Sequence, residues 1–130
     1  MATFKKFEDI DAWQKSRVLA KQINEITRFP NFKDDQELKW QIKKSAGSIM
    51  DNIAEGFERG GKKEFIQFLS ISKGSAGEIR SQIYRSLDNG LISNQQSEEL
   101  LKLAEDISMM LEGLMNYLRN SELKGTKYKP

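Results

Sequence analysis

Neither cysteine nor histidine occurs anywhere in this 130-residue sequence. Without cysteine there are no disulfides and no thiol chemistry. Without histidine the commonest general base and the commonest transition-metal ligand are missing. Together the two absences argue against zinc, haem and iron–sulfur sites. A carboxylate-only magnesium or calcium site stays open on composition, but no DxDxDG-type loop is present. The expectation is no cofactor, no metal and no small-molecule substrate.

Long apolar runs are lacking as well. No stretch approaches the roughly 20 residues a membrane helix needs, and no basic-then-apolar leader opens the sequence. A cytoplasmic protein with no membrane partner is expected, although the missing cysteine only permits that reading. Proline is confined to Pro30 and Pro130, so strong helix breakers are nearly absent. Strand-like alternation is absent too. The excess of one charge sign is slight, at +2, and neither demands nor excludes a nucleic-acid partner.

What remains is helix. Hydrophobic residues make up 38% and charged residues 31% of the chain, the balance of a helix-rich globular domain. At this length one domain buries roughly two thirds of its unfolded surface. A first helix is expected from about Asp11 to Thr27, capped by Asp9 or Asp11, with Trp13, Ala20, Ile23 and Ile26 inward. Pro30 in Phe29-Pro30-Asn31-Phe32 ends it. Asp34, Asp35 and Glu37 then favour the start of a second helix, which runs to about Arg59 before Gly60 and Gly61. A third follows from about Lys62 to Asp88, with Phe65, Phe68, Leu69, Ser72, Ala76, Ile79, Ile83 and Leu87 inward. After Asp88-Asn89-Gly90, Ser93 and Gln96 match a capping box for a fourth helix carrying Leu100, Leu103, Ile107, Met110, Leu114 and Tyr117. Short connections make neighbours antiparallel. The predicted fold is therefore all-α, an up-down-up-down antiparallel four-helix bundle over residues 1–120 with a basic tail at 121–130.

Folding back at Gly60-Gly61 sets a register in which Ser45-Ala46-Gly47-Ser48 lies opposite Gly74-Ser75-Ala76-Gly77. Mid-helix glycine costs about 1 kcal/mol relative to alanine, so close backbone packing is the expected reason for Gly47, Gly74 and Gly77. A phosphate cradle would instead need a loop or a helix start.

Two strings in this region carry a family resemblance. QIKKSAGSIMDNIAEGFERG followed by KKEFIQFLSISKGSAGEI resembles the bacterial four-helix-bundle proteins encoded in 23S ribosomal RNA intervening sequences and their stand-alone relatives. The opening FEDIDAWQKSRVLAKQINEIT and the RFP before the second helix match as well, so the likeness extends to about Asn120. Ser72 stands where alanine is usual, and the tail Lys124 to Pro130 has no counterpart. The resemblance implies a homopentameric ring of bundles without established enzymatic activity. It also implies a distant kinship to the basic accessory protein of diversity-generating retroelements, and a link to RNA or the ribosome.

Polar residues on the second helix fall in a row. Gln41, Ser45, Ser48, Asn52, Glu55 and Arg59 follow helical steps of three and four along one narrow face, while a second face carries Leu38, Ile42, Ala46, Ile49 and Ile53 as core. Glu55 and Arg59 stand at i and i+4 in the favourable orientation. Ser75, Glu78, Gln82 and Arg85 make a matching row on the third helix. Three readings stay open: a solvated face, a buried network at a subunit contact, or a ligand or catalytic site using Glu55 with Glu78. The four-helix carboxylate metal proteins need Glu-x-x-His pairs, which this chain cannot supply.

A second apolar stripe, Trp40, Gly47, Met50, Ala54 and Phe57, lies about a third of a turn from the core face. With the resemblance, Trp40 and Phe57 are expected to anchor contacts between subunits. Basic residues collect at one end and in the tails: Lys5, Lys6, Arg59, Lys62, Lys63, Arg119, Lys124, Lys127 and Lys129, with Tyr128 among them. The fourth helix carries Glu98, Glu99, Glu105, Asp106 and Glu112. Most lysine-rich tails only solvate a protein, but repetition around a ring axis raises affinity for a polyanion. The expected function is therefore a non-enzymatic oligomer that binds structured RNA or a ribonucleoprotein, electrostatically and with little base discrimination. Lys62, Lys63, Lys124, Lys127 and Lys129 would make the contacts. The alternative is a protein-docking module that uses the acidic or aromatic faces.

Overall fold

The computed structural model describes residues 4–121. Four helices, α1 (Asp11–Thr27), α2 (Gln36–Arg59), α3 (Lys62–Asp88) and α4 (Asn94–Arg119), run in that order, with 3₁₀ turns at Phe7–Asp9 and Pro30–Phe32. Each helix packs on its chain neighbours and α1 closes against α4, with no diagonal contact among the described residues. That is the up-down-up-down bundle. α2 and α3 form the most extensive of the four seams.

Local chemistry sets the boundaries. Asp35 caps α2 by accepting the Leu38 N–H at 3.0 Å. At the start of α4 both arms of the capping box form, Gln96 N–H to Ser93 Oγ at 3.0 Å and Ser93 N–H to Gln96 Oε1 at 2.8 Å. Gly60 takes φ 87° and returns its N–H to the Phe57 carbonyl, a left-handed stop that a β-carbon would strain. α1 departs from expectation. Its cap residue is buried Ile10 with no side-chain bond; Asp11 is the first helical residue, and Asp9 sits in the preceding 3₁₀ turn.

The core is a single cluster. Leu19 and Ile23 from α1, Ile49 and Ile53 from α2, Leu69, Ile79 and Ile83 from α3, and Ala104, Ile107 and Leu111 from α4 are fully buried. Each large aliphatic contributes about 1.5–3 kcal/mol by leaving water. On α4 the inner face is Leu100, Ala104, Ile107, Leu111, Leu114, Met115 and Leu118, while Leu103, Met110 and Tyr117 are only partly covered.

Phe57 overturns one expectation. It is 0% exposed and meets Phe65 edge-on across the turn, ring centroids 5.9 Å apart. A side chain so enclosed by its own protomer offers no surface to a second copy. The expected subunit anchor is a core residue.

The glycines divide differently from expectation as well. The register is as predicted: Ser48 Oγ and Ser75 Oγ lie 2.9 Å apart, and Ala46 and Ala76 are both buried. Yet a β-carbon on Gly74 or Gly77 would meet nothing within 4 Å, and one on Gly47 would only reach Asp51 Oδ2 at 4.0 Å. Close packing does not explain those three. It explains Gly56, where a β-carbon would lie 2.5 Å from Phe68 Cβ. The tightest approach is thus one turn before the Gly60-Gly61 reversal, not at mid-height.

Candidate functional site

The two polar rows meet along the outer edge of the α2–α3 seam. Deepest are hydroxyls: buried Ser72 donates to the Ile49 carbonyl at 2.8 Å, and Ser48 and Ser75 share a hydrogen bond. Asn52 Nδ2 donates to the Ser48 carbonyl at 2.8 Å and to Ser48 Oγ at 3.0 Å. Further along, Ser45 donates to Glu78 at 3.3 Å, and Arg85 Nη1 donates to Gln41 Oε1 at 3.0 Å. The row is graded, with Ser45, Ser75 and Gln82 buried, Gln41, Ser48 and Asn52 half-buried, and Glu78 and Arg85 exposed.

Glu55 and Arg59 stand apart from this group. Arg59 Nη2 donates to Glu55 Oε2 at 2.8 Å, its Nη1 lies 3.7 Å from Glu64 Oε2, and its guanidinium sits 5.2 Å from the Phe68 ring centre. The Glu55 hydrogen bond and charge push the Arg59 pKa further up, which keeps the cation fixed. All three charged side chains are half-exposed, so water and salt screen the cluster. Ten residues of helix separate Glu55 from Ser45, the partner of Glu78, or about 15 Å. The two glutamates therefore do not face one another across a cleft.

Where the rows diverge they enclose a groove of about 580 Å³, lined by Gln41, Lys44, Ser45, Ser48, Glu78, Ser81, Gln82 and Arg85. Gln82 forms part of its lining while 5% exposed, and its Oε1 is the one buried side-chain polar atom among the described residues with no hydrogen-bond partner. Such an atom costs about 1–3 kcal/mol when left unpaired. Lys44, at the groove's α2 wall, is exposed, as are Lys43, about 100° further round the helix, and Trp40 one turn earlier, at 68%. The Trp40–Lys44 spacing of i, i+4 is visible in the sequence, but charge clustering there points to the turn and the tails and not to Lys44. Gln82 belongs to the polar row of the third helix, but its missing partner has no sequence signal.

The basic candidates scatter. Lys63 is exposed, whereas Lys62 is half-buried and donates to the Ser121 carbonyl at 2.7 Å, tying the start of α3 to the end of α4. Lys62 therefore has a structural bond that the charge pattern did not suggest. Lys124, Lys127 and Lys129 lie outside the described residues. Among the described residues no cluster of three or more acidic side chains is arranged to hold a metal ion, and no helix is long and apolar enough to cross a membrane.

A histidine-free four-helix bundle with a serine-lined seam and a polar groove defines a class of small helical domains rather than an activity. Within that class the chain belongs to the 23S rRNA-intervening sequence protein family, whose profile matches residues 8–113. A solved structure from Bacteroides thetaiotaomicron, a protein of unknown function from the S23 ribosomal protein family, shares the fold at a TM-score of 0.72. The two are 22% identical, over 80% of this chain and 97% of that one. No curated protein matches the sequence.

Proposed function

We propose that this protein is a non-enzymatic, oligomeric bundle, a homopentamer, that binds structured RNA or a ribonucleoprotein in the cytoplasm. The observation that carries this reading is the outer face of α2, where exposed Lys43 and Lys44 engage no carboxylate and flank exposed Trp40, Lys44 also bordering the groove. Elsewhere among the described residues Lys15, Arg59, Lys73, Lys102 and Arg119 are neutralised by acidic neighbours, whereas Lys21, Lys33 and Lys39 are not, so what sets Lys43 and Lys44 apart is the exposed Trp40 between them. Cations left unpaired beside an aromatic ring suit a phosphate backbone with a base to stack. Lys63 is a separate exposed cation at the turn end of the bundle, about 22 Å along α2 from Lys44, and repetition around a ring would multiply both. The family's description, which names ribosomal RNA, points the same way.

Filter binding against a structured RNA over a salt series tests this. Affinity should fall by orders of magnitude from low to moderate salt. Replacing Lys43 and Lys44 together with glutamate should weaken binding to all RNAs while leaving the helical content intact, and Lys63→Glu should do so more weakly. No association at low salt would overturn the reading. It would favour instead a protein-docking module on the opposite side, where Glu25 and Glu99 surround half-exposed Phe29 between α1 and α4.

A further inference from the structure

We propose that the outward face of α3 is a contact site for a second copy of this chain, packed antiparallel about a two-fold axis. Gly74 and Gly77 give the first indication. Mid-helix glycine weakens a helix relative to alanine, yet a β-carbon at either position would meet nothing within 4 Å. No packing inside the protomer accounts for them. Exposed Ser70 and Ser81 flank them, so the middle of this face is nearly bare of side chains. Small residues alone name no partner; the ends of the face do.

From Lys63 to Asp88 outward-facing residues recur at alternating steps of four and three, the heptad spacing of two helices in contact. This stripe is symmetrical about its midpoint, between Ser75 and Ala76. Turned end for end, it sets Gly74 on Gly77, Ser70 on Ser81, Gln67 on Tyr84 and Lys63 on Asp88. Glycine meets glycine at the centre, where two backbones can approach most closely. Hydroxyl then meets hydroxyl, amide meets phenol, and ammonium meets carboxylate. All of these residues are exposed except half-buried Gly77, with Tyr84 at 52%. Among the described residues neither Lys63 nor Asp88 is in an ion pair. They stand 25 residues apart, about 37 Å along α3, so a Lys63–Asp88 pair would close each end of a two-fold contact. A parallel arrangement would oppose lysine to lysine and aspartate to aspartate. Charge therefore selects the antiparallel second copy.

This contact goes beyond the ring of the functional reading and does not rest on it. A ring joins two different faces, whereas this contact joins one face to itself. A closed assembly in which every copy uses it therefore holds an even number of copies, two if it acts alone and ten if it joins two pentamers. Light scattering on the full chain at micromolar concentration counts the copies, with and without Gly74→Leu. That position is open in its own protomer, so helical content and a cooperative melt should persist. Pairing should weaken about ten- to a hundredfold, and the mass should halve. Gly77→Leu should do the same. Lys63→Asp and Asp88→Lys should each weaken pairing about tenfold, because like charges then meet at both ends. The two changes together should restore it. Lys63 is the residue that the two readings share, so RNA binding is scored on Lys43 and Lys44 and pairing on Gly74.

Ten copies falling to five would support both the contact and the ring. Two falling to one would support the contact and overturn the ring. Five copies in the parent, an odd number, would overturn the contact and leave the ring standing. A monomeric parent would overturn both. An even count unchanged by either glycine variant, or a double charge reversal that fails to restore pairing, would overturn the proposal and put the interface on another face.

Discussion

The deepest polar contacts between α2 and α3 are hydroxyls inside a covered seam, with charged groups only at its outer edge, whereas α4 meets its neighbours' polar groups through ion pairs at the surface. Ser72 and Ser75 reach across from α3 to Ile49 and Ser48 with short, uncharged bonds. α4 instead offers Asp106 to Lys15 of α1 at 3.6 Å and Glu112 to Lys73 of α3 at 2.7 Å. Charges at a wet surface are screened and add little to stability; the apolar row of Ala104, Ile107 and Leu111 holds α4. Small hydroxyls, by contrast, let two backbones come close, so the α2–α3 seam depends on fit. The same smallness leaves room where the rows part, and there the groove opens. The side of the bundle with the most extensive helix seam is thus also the side with a buried, unpaired polar atom.

The largest expected effect falls at the turn end of the hydroxyl seam. Phe57→Ala removes a fully buried ring facing Phe65 and should cost about 3–5 kcal/mol in denaturant unfolding. Trp40→Ser, at an exposed site, should leave the unfolding midpoint nearly unchanged and be read in the sedimentation coefficient. Equal effects of the two on assembly, with no loss of stability for Phe57→Ala, would show that Phe57 is not a core residue. Gly56→Ala comes next. The added β-carbon must push Phe68 away, and overpacking of this kind costs about 1–3 kcal/mol. A gain in melting temperature, as intrinsic helix propensity alone would give, would mean that the approach is looser than described.

Ser72→Ala should cost about 1 kcal/mol, the net worth of one hydrogen bond. No bond is orphaned, because the Ile49 carbonyl keeps its helical partner. The smallest effect belongs to the ion-paired seams. The hydrogen bond and charge of Lys73, and less strongly Arg119, hold the Glu112 carboxyl below the usual carboxylate range despite some desolvation. A lowered folded-state pKa stabilises the protein above the unfolded carboxylate's pKa, and this contribution disappears as pH falls through the lowered value. Glu112→Gln should therefore melt slightly lower at neutral pH and lose less stability on acidification than the parent. Identical pH profiles of the two proteins would remove the ion pair from the account of this seam.

Much of this fold can be read in the sequence because its punctuation is local. Asp35, the Gly60-Gly61 reversal and the Ser93–Gln96 box act within a few residues of themselves, so the ends of α2, α3 and α4 follow from spacing. Phe57 did not follow. It lies at the border between two helical faces, and only the position of Phe65 across the turn decides which way it is covered. Gly56 was hidden for a related reason, since its neighbour Phe68 comes from the other helix. The polar row was legible as a row. Its division into a screened Glu55–Arg59–Glu64 cluster and a separate groove depends on where α3 places Glu64 and Glu78, which periodicity along α2 does not report. Family membership was legible from the Asn-Ile-Ala-Glu-Gly and Gly-Ser-Ala-Gly-Glu strings, because they extend over both helices of the seam.

The abrupt reversal at Gly60-Gly61 has a kinetic consequence. Contacts just beside it, such as Phe57 with Phe65, join residues close in sequence and close only a short loop. Seams that bring α1 to α4 must wait for most of the chain. The hairpin of α2 and α3 is then expected to form in the folding transition state, with α1 and α4 docking afterwards. Substitutions at Phe65 should slow refolding, while truncation of Ile107 should mainly hasten unfolding. In stopped-flow chevrons the folding arm would move for the first and the unfolding arm for the second.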